Sequence, residues 1–523
     1  MARSLARRVG VRLDGRAPRR WHLRLLEALA AVQGLAPCVA RAPGPGGLPA
    51  NAALLFAVEA RLRRLPGGGP AAPVPLAALA AYPDPGPTGL VLDLCGDVEP
   101  APGRRVWRLT FDGACGEAAL LAALLAGRAP VAALVEGGRV VAAGCLGTES
   151  LTVMRTAFED GLVRTVDLIR SALAGEGSGD GALDDGAWVP GASLRIPAPP
   201  APAGLSVAAV GARAGGLLAR AVAGHLHRLC YRTPHWRVAW RPLAGADLVE
   251  PDLVDLRRVP GGWRDLPDDG LRFYADPFPL VQAGRTILFL EEYPHATGRG
   301  VISAVAFGPD GPEGVPVRVL EEPHHLSYPF VFARDGAHWM IPESGDNGTV
   351  DLYRATAFPG GWVKHATLIA GVTASDATLL ERDGRWWLFA TVRAHGPGRP
   401  AGAARGAYSD ALHLWSAPDF RGPWTPHPRN PVLVDFGAAR PAGRIVSRDG
   451  VLIRPAQDCR RGYGEALSLA RIDRLDGEGY AQTVETTLRA GAGLPGHRFH
   501  TLNRTDAFEF VDGSAAAPRR WFR

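Results

Sequence analysis

Lysine is all but missing from this chain. Lys364 is the single one in 523 residues, so the 58 basic side chains are almost all arginine. A formal charge of +6 and a pI near 9.2 would invite a nucleic-acid partner. Yet no stretch gathers the arginines into the dense stripe or tail that tracks a phosphate backbone. Read with 65 glycines and 46 prolines, the arginine excess is a base-composition habit, and nucleic acid is excluded as a partner. Cysteine is scarce too. Cys38, Cys95, Cys115, Cys145, Cys230 and Cys459 are scattered without a close pair, which excludes a zinc spacing or a dense disulfide framework and predicts buried thiols in a reducing cytosol. No window strings together about eighteen uninterrupted apolar residues, which on that criterion excludes a transmembrane segment. The N-terminus, Met1-Ala-Arg-Ser-Leu-Ala-Arg-Arg, lacks the apolar stretch and cleavage site of a secretory signal. A cytoplasmic protein is expected, with attachment to a membrane surface left open. No cofactor is indicated, and no metal ligand set is assigned.

What is present falls into two styles. Residues 8 to about 180 alternate strand and helix, which predicts an open α/β sheet with helices on its faces. Strands are read at Val9–Leu13, Pro37–Ala40 and Gly89–Cys95, with a hairpin from Val131–Val135 and Arg139–Ala143. Helices are read at Trp21–Val32, Ala52–Leu62 and Leu151–Leu173. The Gly-x-Gly-x-x-Gly pattern of a dinucleotide site is absent after the first strand. Residues 175–205 are rich in Gly, Asp and Pro, as a linker is, and a helix follows over Ser206–Cys230. The domains expected are thus 1–180, an α/β unit; 181–234, linker and helix; and 235–523, an all-β unit.

From about residue 271 one unit is written five times: an apolar strand with a polar lead residue, a tight turn, and an aromatic-rich second strand. Asp276 leads to Gly284, Tyr328 to Asp335-Gly336, Asp376 to Asp383-Gly384, Arg440 to Asp449-Gly450, and His500-Thr501 to Asp506. Such repeats without an internal helix select a five-bladed β-propeller. His235–Trp240 alternates like a strand and is placed as the segment that closes the ring against the last blade. In a propeller the lead residues Asp276, Tyr328, Asp376, Arg440 and His500 or Thr501 point at one another. Around them stands a collar of Glu292, Glu343, Thr391, Arg454 with Gln457, and Asp512. Carboxylates, amides and aromatic faces converging on one pocket suit a polyhydroxylated substrate.

Phe273-Tyr-Ala-Asp-Pro-Phe and Ser375-Asp-Ala-Thr resemble the five-bladed propellers of family 43 glycoside hydrolases. Glu322-Pro-His-His-Leu-Ser-Tyr-Pro-Phe-Val-Phe332, Ile341-Pro-Glu-Ser344, Asp351-Leu-Tyr-Arg-Ala355 and Phe358-Pro-Gly-Gly-Trp362 resemble the N-terminal propeller domain of glucosamine inositolphosphorylceramide transferases. In those plant proteins the resemblance puts sugar transfer in a separate C-terminal domain. Residues 1–175 are more weakly similar to the formyltransferase fold, without its catalytic Asn or its His-x-Ser-Leu-Leu-Pro segment.

The hydrolase resemblance implies that Asp276 is a general base and Asp376 tunes a pKa. The general acid's place in the fourth blade is Arg440, which has no proton to give at working pH. Glu343 is then the candidate acid, with Glu465 as another. Arg440 and Arg454 either hold an anionic group, such as a phosphate, or pair with the carboxylates as a brace. Tyr328, His325, Glu292, Gln457, Tyr463, Glu465 and His500 complete the expected substrate-binding set. His324 and His325 read more readily as packing or capping residues than as ligands, and Trp339, Trp386 and Trp387 as inter-blade packing. The function expected is an enzyme of bacterial glycan or glycolipid biosynthesis acting on glycosidic bonds of a sugar, nucleotide-sugar or glycolipid. The alternative is a binding module for a glycan or phospho-headgroup that serves a separate glycosyltransferase.

Overall fold

The computed structural model describes residues 6–44, 47–86, 88–176, 194–201, 204–243, 262–394, 406–490 and 496–519. Most of the Gly/Asp/Pro stretch read as a linker lies outside them. Contacts divide the chain into a unit of Met1–Ala221 with Pro428–Asp435, and a second of Val222–His427 with Phe436–Arg523.

The first unit is built on β1 (Arg7–Asp14), α1 (Arg20–Ala30), β2 (Leu35–Ala42), α2 (Ala52–Arg63), β3 (Leu90–Asp93), β4 (Arg105–Phe111), β5 (Ala114–Cys115), α3 (Glu117–Leu125), β6 (Val131–Glu136), β7 (Arg139–Cys145), α4 (Met154–Glu176) and the first part of α5 (Val207–Cys230), whose residues from Val222 on are counted with the second unit. Strand order is β2-β1-β3-β4-β6-β7, with β5 on β4. The pairs among β1 to β4 are parallel, while β6 and β7 add an antiparallel hairpin. This is the open α/β sheet that the alternation predicted. Trp21, Leu25, Leu26 and Leu29 are buried along one face of α1, as their helical spacing requires. A cleft of about 310 Å³ sits at the carboxyl ends of β1 and β3, between Asp14, Arg19, His22, Cys95 and Glu117. All six cysteines are free.

The second unit holds five sheets in a propeller, called blades 1 to 5 here. Blades 1 to 3 open on the inner strands Arg272–Gln282, Ser327–Arg334 and Ala374–Arg382. Each turns into its second strand through two residues of positive φ: Ala283-Gly284, Asp335-Gly336 and Asp383-Gly384. Asp449-Gly450 does the same in blade 4. That handedness matches the strand twist, which is why Asp-Gly recurs there. Blade 4 has a short inner strand, Val446–Arg448, against Val451–Asp458. Blade 5 joins both ends of the unit: Leu502–Arg504 and Phe508–Ser514 continue through Trp236–Pro242 to Arg264–Asp265. The predicted closing strand is therefore present, as the third strand of the blade. Aromatic side chains fill the seams. Phe420 packs on Phe332, Trp339 and Trp386 at ring distances of 5.2, 5.1 and 5.4 Å.

Candidate functional site

Blades 1, 2 and 3 break their pairing at the same point. The register shifts between Ala275 and Phe278, Ser327 and Phe330, and Ser375 and Thr378. The lead residues Asp276, Tyr328 and Asp376 there have φ of 49°, 43° and 58°. Left-handed backbone at a residue with a Cβ costs of order 1 kcal/mol or more, so something must hold it. Each exposed N–H is taken by a carboxylate of the preceding blade. The Asp276 N–H donates to Asp512 Oδ2 at 3.0 Å, Tyr328 N–H to Asp276 Oδ2 at 3.1 Å, and Asp376 N–H to Glu343 Oε2 at 3.1 Å. The same bulges that aim these side chains inward thus knit one blade to the next.

Around that ring the donors are specific. Asp276 Oδ1 accepts from the Thr501 hydroxyl at 2.6 Å. Asp512 accepts the backbone N–H groups of His500 and Thr501, each at 3.0 Å, and lies 2.6 Å from His500 Nδ1. Asp376 accepts Arg440 Nε at 2.6 Å and Nη2 at 3.3 Å, and Gln457 Nε2 at 3.1 Å. Arg440 Nη2 also lies 3.5 Å from Glu343. The Arg440 guanidinium sits 5.0 Å over the ring of Tyr463, which is 37% exposed. Tyr463 in turn meets His500 edge-on, and His500 stacks on Trp236 at 4.2 Å. An aromatic face therefore stands beside the carboxylates.

Crowding of buried acids shifts their protons. Burial pushes Asp276 up to about 6; His500 opposes the rise, and Asp512 and Asp376 add to it. Burial also raises Glu343 well above the usual carboxylate range, with Asp376 adding to the rise against Arg440. Glu291 is raised well above it by burial and then by Asp276 and Glu343. For His500 burial works against the charged ring, but Asp512, Asp276 and Asp376 together outweigh it and the net shift is upward.

Of the residues read from the sequence, Asp276, Asp376, Glu343, Arg440, Gln457, Tyr463 and His500 are brought together. His325 lies at the rim, its Nδ1 accepting from Gly300 N–H at 2.9 Å and its Nε2 3.5 Å from Glu291. Three placements need correction. Glu292 turns away from the cluster, pairing with Arg272 at 2.6 Å and Ser303 at 2.6 Å, because neighbours on a strand face opposite sides. Its neighbour Glu291 takes the inward position, which the sequence reading missed. Arg454 is fully buried and spends its donors on Tyr480, Gln482 and the carbonyls of Ala438 and Ala439, so it holds no external anion. Tyr328 is fully buried with its hydroxyl between Thr378 and Gly443, a brace and not a substrate contact. Glu465 is half-buried on its loop, and among the described residues no hydrogen bond or ion pair joins its carboxylate to the cluster.

A register signal marks the inward positions. Seven residues past the turn glycines Gly284, Gly336, Gly384 and Gly450 stand Glu291, Glu343, Thr391 and Gln457. Thr391 Oγ1 is buried and has no hydrogen-bond partner among the described residues, so it can receive a ligand or a water. Asp276, His500 and Asp512 offer ligand atoms within 4.8 Å of one another, close enough to hold a metal ion. The same groups also engage each other, the Asp276 N–H and the Thr501 hydroxyl.

Residues 268–508 match the family described as glucosamine inositolphosphorylceramide transferase 1, N-terminal. The rice (Oryza sativa subsp. japonica) protein named glucosamine inositolphosphorylceramide transferase 1 is 33% identical over 254 residues, 47% of this chain and 32% of that protein. The Arabidopsis thaliana protein of the same name is 33% identical over 249 residues, 47% of this chain and 31% of that protein. The chain thus spans about a third of the length of these relatives. Among solved structures, a family 117 glycoside hydrolase from Zobellia galactanivorans aligns at 15% identity and a TM-score of 0.33, over 53% of this chain and 90% of that one. So low a score decides nothing. The propeller rests on its own five sheets.

Proposed function

We propose that the second unit acts on glycosidic bonds at the axial carboxylate cluster, transferring or hydrolysing a sugar carried by a nucleotide or a lipid. One observation carries this reading: Asp276 and Glu343 share a cluster in which burial and like charge raise both carboxyls, Asp276 to about 6 and Glu343 well above its usual range. Glycosidic chemistry asks for such a pair, one carboxyl that donates a proton to the leaving oxygen and one that takes a proton from the nucleophile. Glu343 is the donor, Asp276 the base once ionised, and Asp376 the charge that Arg440 and Gln457 fix in place. Tyr463 offers a face for the sugar ring. Arg440 Nη1, the guanidinium nitrogen without a partner among the described residues, is the donor for a phosphate or hydroxyl.

A second reading is favoured by the extent of the similarity, which is confined to about a third of the plant transferases and to a family described as their N-terminal part. On it the propeller binds a glycan or phospho-headgroup for a transferase that does the chemistry elsewhere. A formyltransferase ancestry would explain the sheet of the first unit without giving it an activity, since the catalytic Asn and the His-x-Ser-Leu-Leu-Pro segment are missing.

The test is a panel of nucleotide sugars and aryl glycosides, screened by thermal shift and then by turnover. Asp276→Asn and Glu343→Gln should each lower turnover by roughly 10²- to 10⁴-fold, the usual worth of a general acid or base, while the ligand still raises the melting temperature. Binding without turnover in the unaltered protein would favour the module. No binding at all would end both readings.

A further inference from the structure

We propose that α5 docks the protein onto an anionic lipid bilayer, lying in the plane of the interface with its apolar side down. The inference goes beyond the sugar chemistry and does not depend on it. The sequence reading found no membrane segment because it asked for an uninterrupted apolar run. Val207–Cys230 is nonetheless 24 residues long with a mean hydropathy of 1.2 in its best window, of which 11% is buried. Val207, Leu218, Val222, Leu226 and Leu229 are between 53% and 65% exposed. At 3.6 residues per turn these five fall within an arc of about 100°. Single exposed leucines are ordinary on a soluble surface, but a stripe interrupted only by small residues and His225 marks a contact surface.

The remaining residues say which contact. Arg213, Arg220 and His227 occupy the far side of the helix, Arg228 adds a further charge, and no Asp or Glu occurs between Val207 and Cys230. Val210 and Leu217 are the buried side chains, and Arg213 Nη2 donates to the Leu125 carbonyl at 3.0 Å. The helix is therefore held along its other side, and the apolar stripe is left outward. An acid-free cationic helix with one apolar face suits an interface of anionic headgroups over acyl chains. A lone span is disfavoured, because it would carry Arg213 and Arg220 into hydrocarbon.

The full chain should co-sediment with vesicles in which roughly a third of the lipid is phosphatidylglycerol, weakly or not at all with phosphatidylcholine alone, and less at high salt. Val222→Glu and Leu226→Glu together should lower the bound fraction by about tenfold or more, with the melting temperature unchanged. Val315→Glu, at another exposed apolar residue, should leave binding intact. Three results would overturn the proposal: no sedimentation with anionic vesicles; binding that survives both glutamates; or a concentration-dependent dimer that the same substitutions abolish, which would make a second copy the occupant. Resistance to alkaline extraction from membranes would also overturn it, in favour of a span.

Discussion

At Asp276 folding and ionisation oppose each other. Its carboxyl rises from 3.8 in the free residue to about 6 when buried in the ring. A raised acid binds its proton more tightly in the folded state, so folding favours the neutral form. Below about pH 4 both states are protonated and the group adds nothing. Between about 4 and 6 the unfolded chain loses its proton first and stability falls as pH rises, by about 1.4 kcal/mol per unit and about 3 kcal/mol in all. Above the upper limit the loss is complete. Asp276→Asn removes that titration. Urea unfolding across this window should show the unaltered protein losing stability relative to the variant by about 2–3 kcal/mol, whatever the fixed cost of the lost Thr501 and Tyr328 contacts. Parallel curves would mean that Asp276 titrates as an ordinary carboxylate and is no poised base.

Strands decide which neighbour of a pair reaches the pocket. Glu291 and Glu292 are adjacent, yet one joins Asp276 and Glu343 while the other pairs with Arg272 and Ser303. Glu291→Gln puts a neutral amide where burial disfavours the charged carboxylate, so stability should change by less than about 1 kcal/mol while ligand affinity shifts. Glu292→Gln breaks a charged pair and should cost about 1–3 kcal/mol without touching affinity. Calorimetric unfolding beside ligand titration reads both, and the reverse outcome would reverse the assignment. Hairpin turns were legible in the sequence because Asp-Gly and Gly fix a turn locally, and so the blades and three of their lead residues could be counted. The bulges were not legible, since they depend on carboxylates supplied by the preceding blade. Blade 4 misled the reading for a related reason. Arg440 stands ten residues before Gly450, where the other leads stand eight before theirs, and the inner strand shrinks to Val446–Arg448. Arg454 was therefore placed on the wrong side. In the first unit, β4 and α3 were passed over; Leu120, Leu121, Ala123 and Leu124 of α3 are buried, and a helix apolar on all sides shows no amphipathic period.

The propeller unit closes through residues far apart in sequence. Blade 5 pairs Arg237 with Gly513 and Phe508 with Pro242, and Val238, Trp240, Phe307, Phe508 and Phe510 form one buried cluster there. Closure leaves no strand edge open at the seam. It also fixes the site: Val238 lies opposite Asp512 in register, and Asp512 receives the N–H groups of Asp276, His500 and Thr501. Trp236 on the same strand stacks on His500. The strand that closes the ring thus pairs with the one that carries Asp512 into the carboxylate cluster. Val238→Pro removes a donor from this central strand and should cost about 3 kcal/mol or more, lowering together the melting temperature of the propeller and its affinity for any ligand found in the screen. Arg264→Pro, on the exposed outer strand of the same blade, should cost far less and spare affinity, because a proline is tolerated at an edge. Limited proteolysis of both variants, read beside ligand-induced stabilisation, separates the two positions. Equal tolerance at Val238 and Arg264 would mean that the ring holds without its closing strand, and that Asp512 is positioned by blade 5's own hairpin alone.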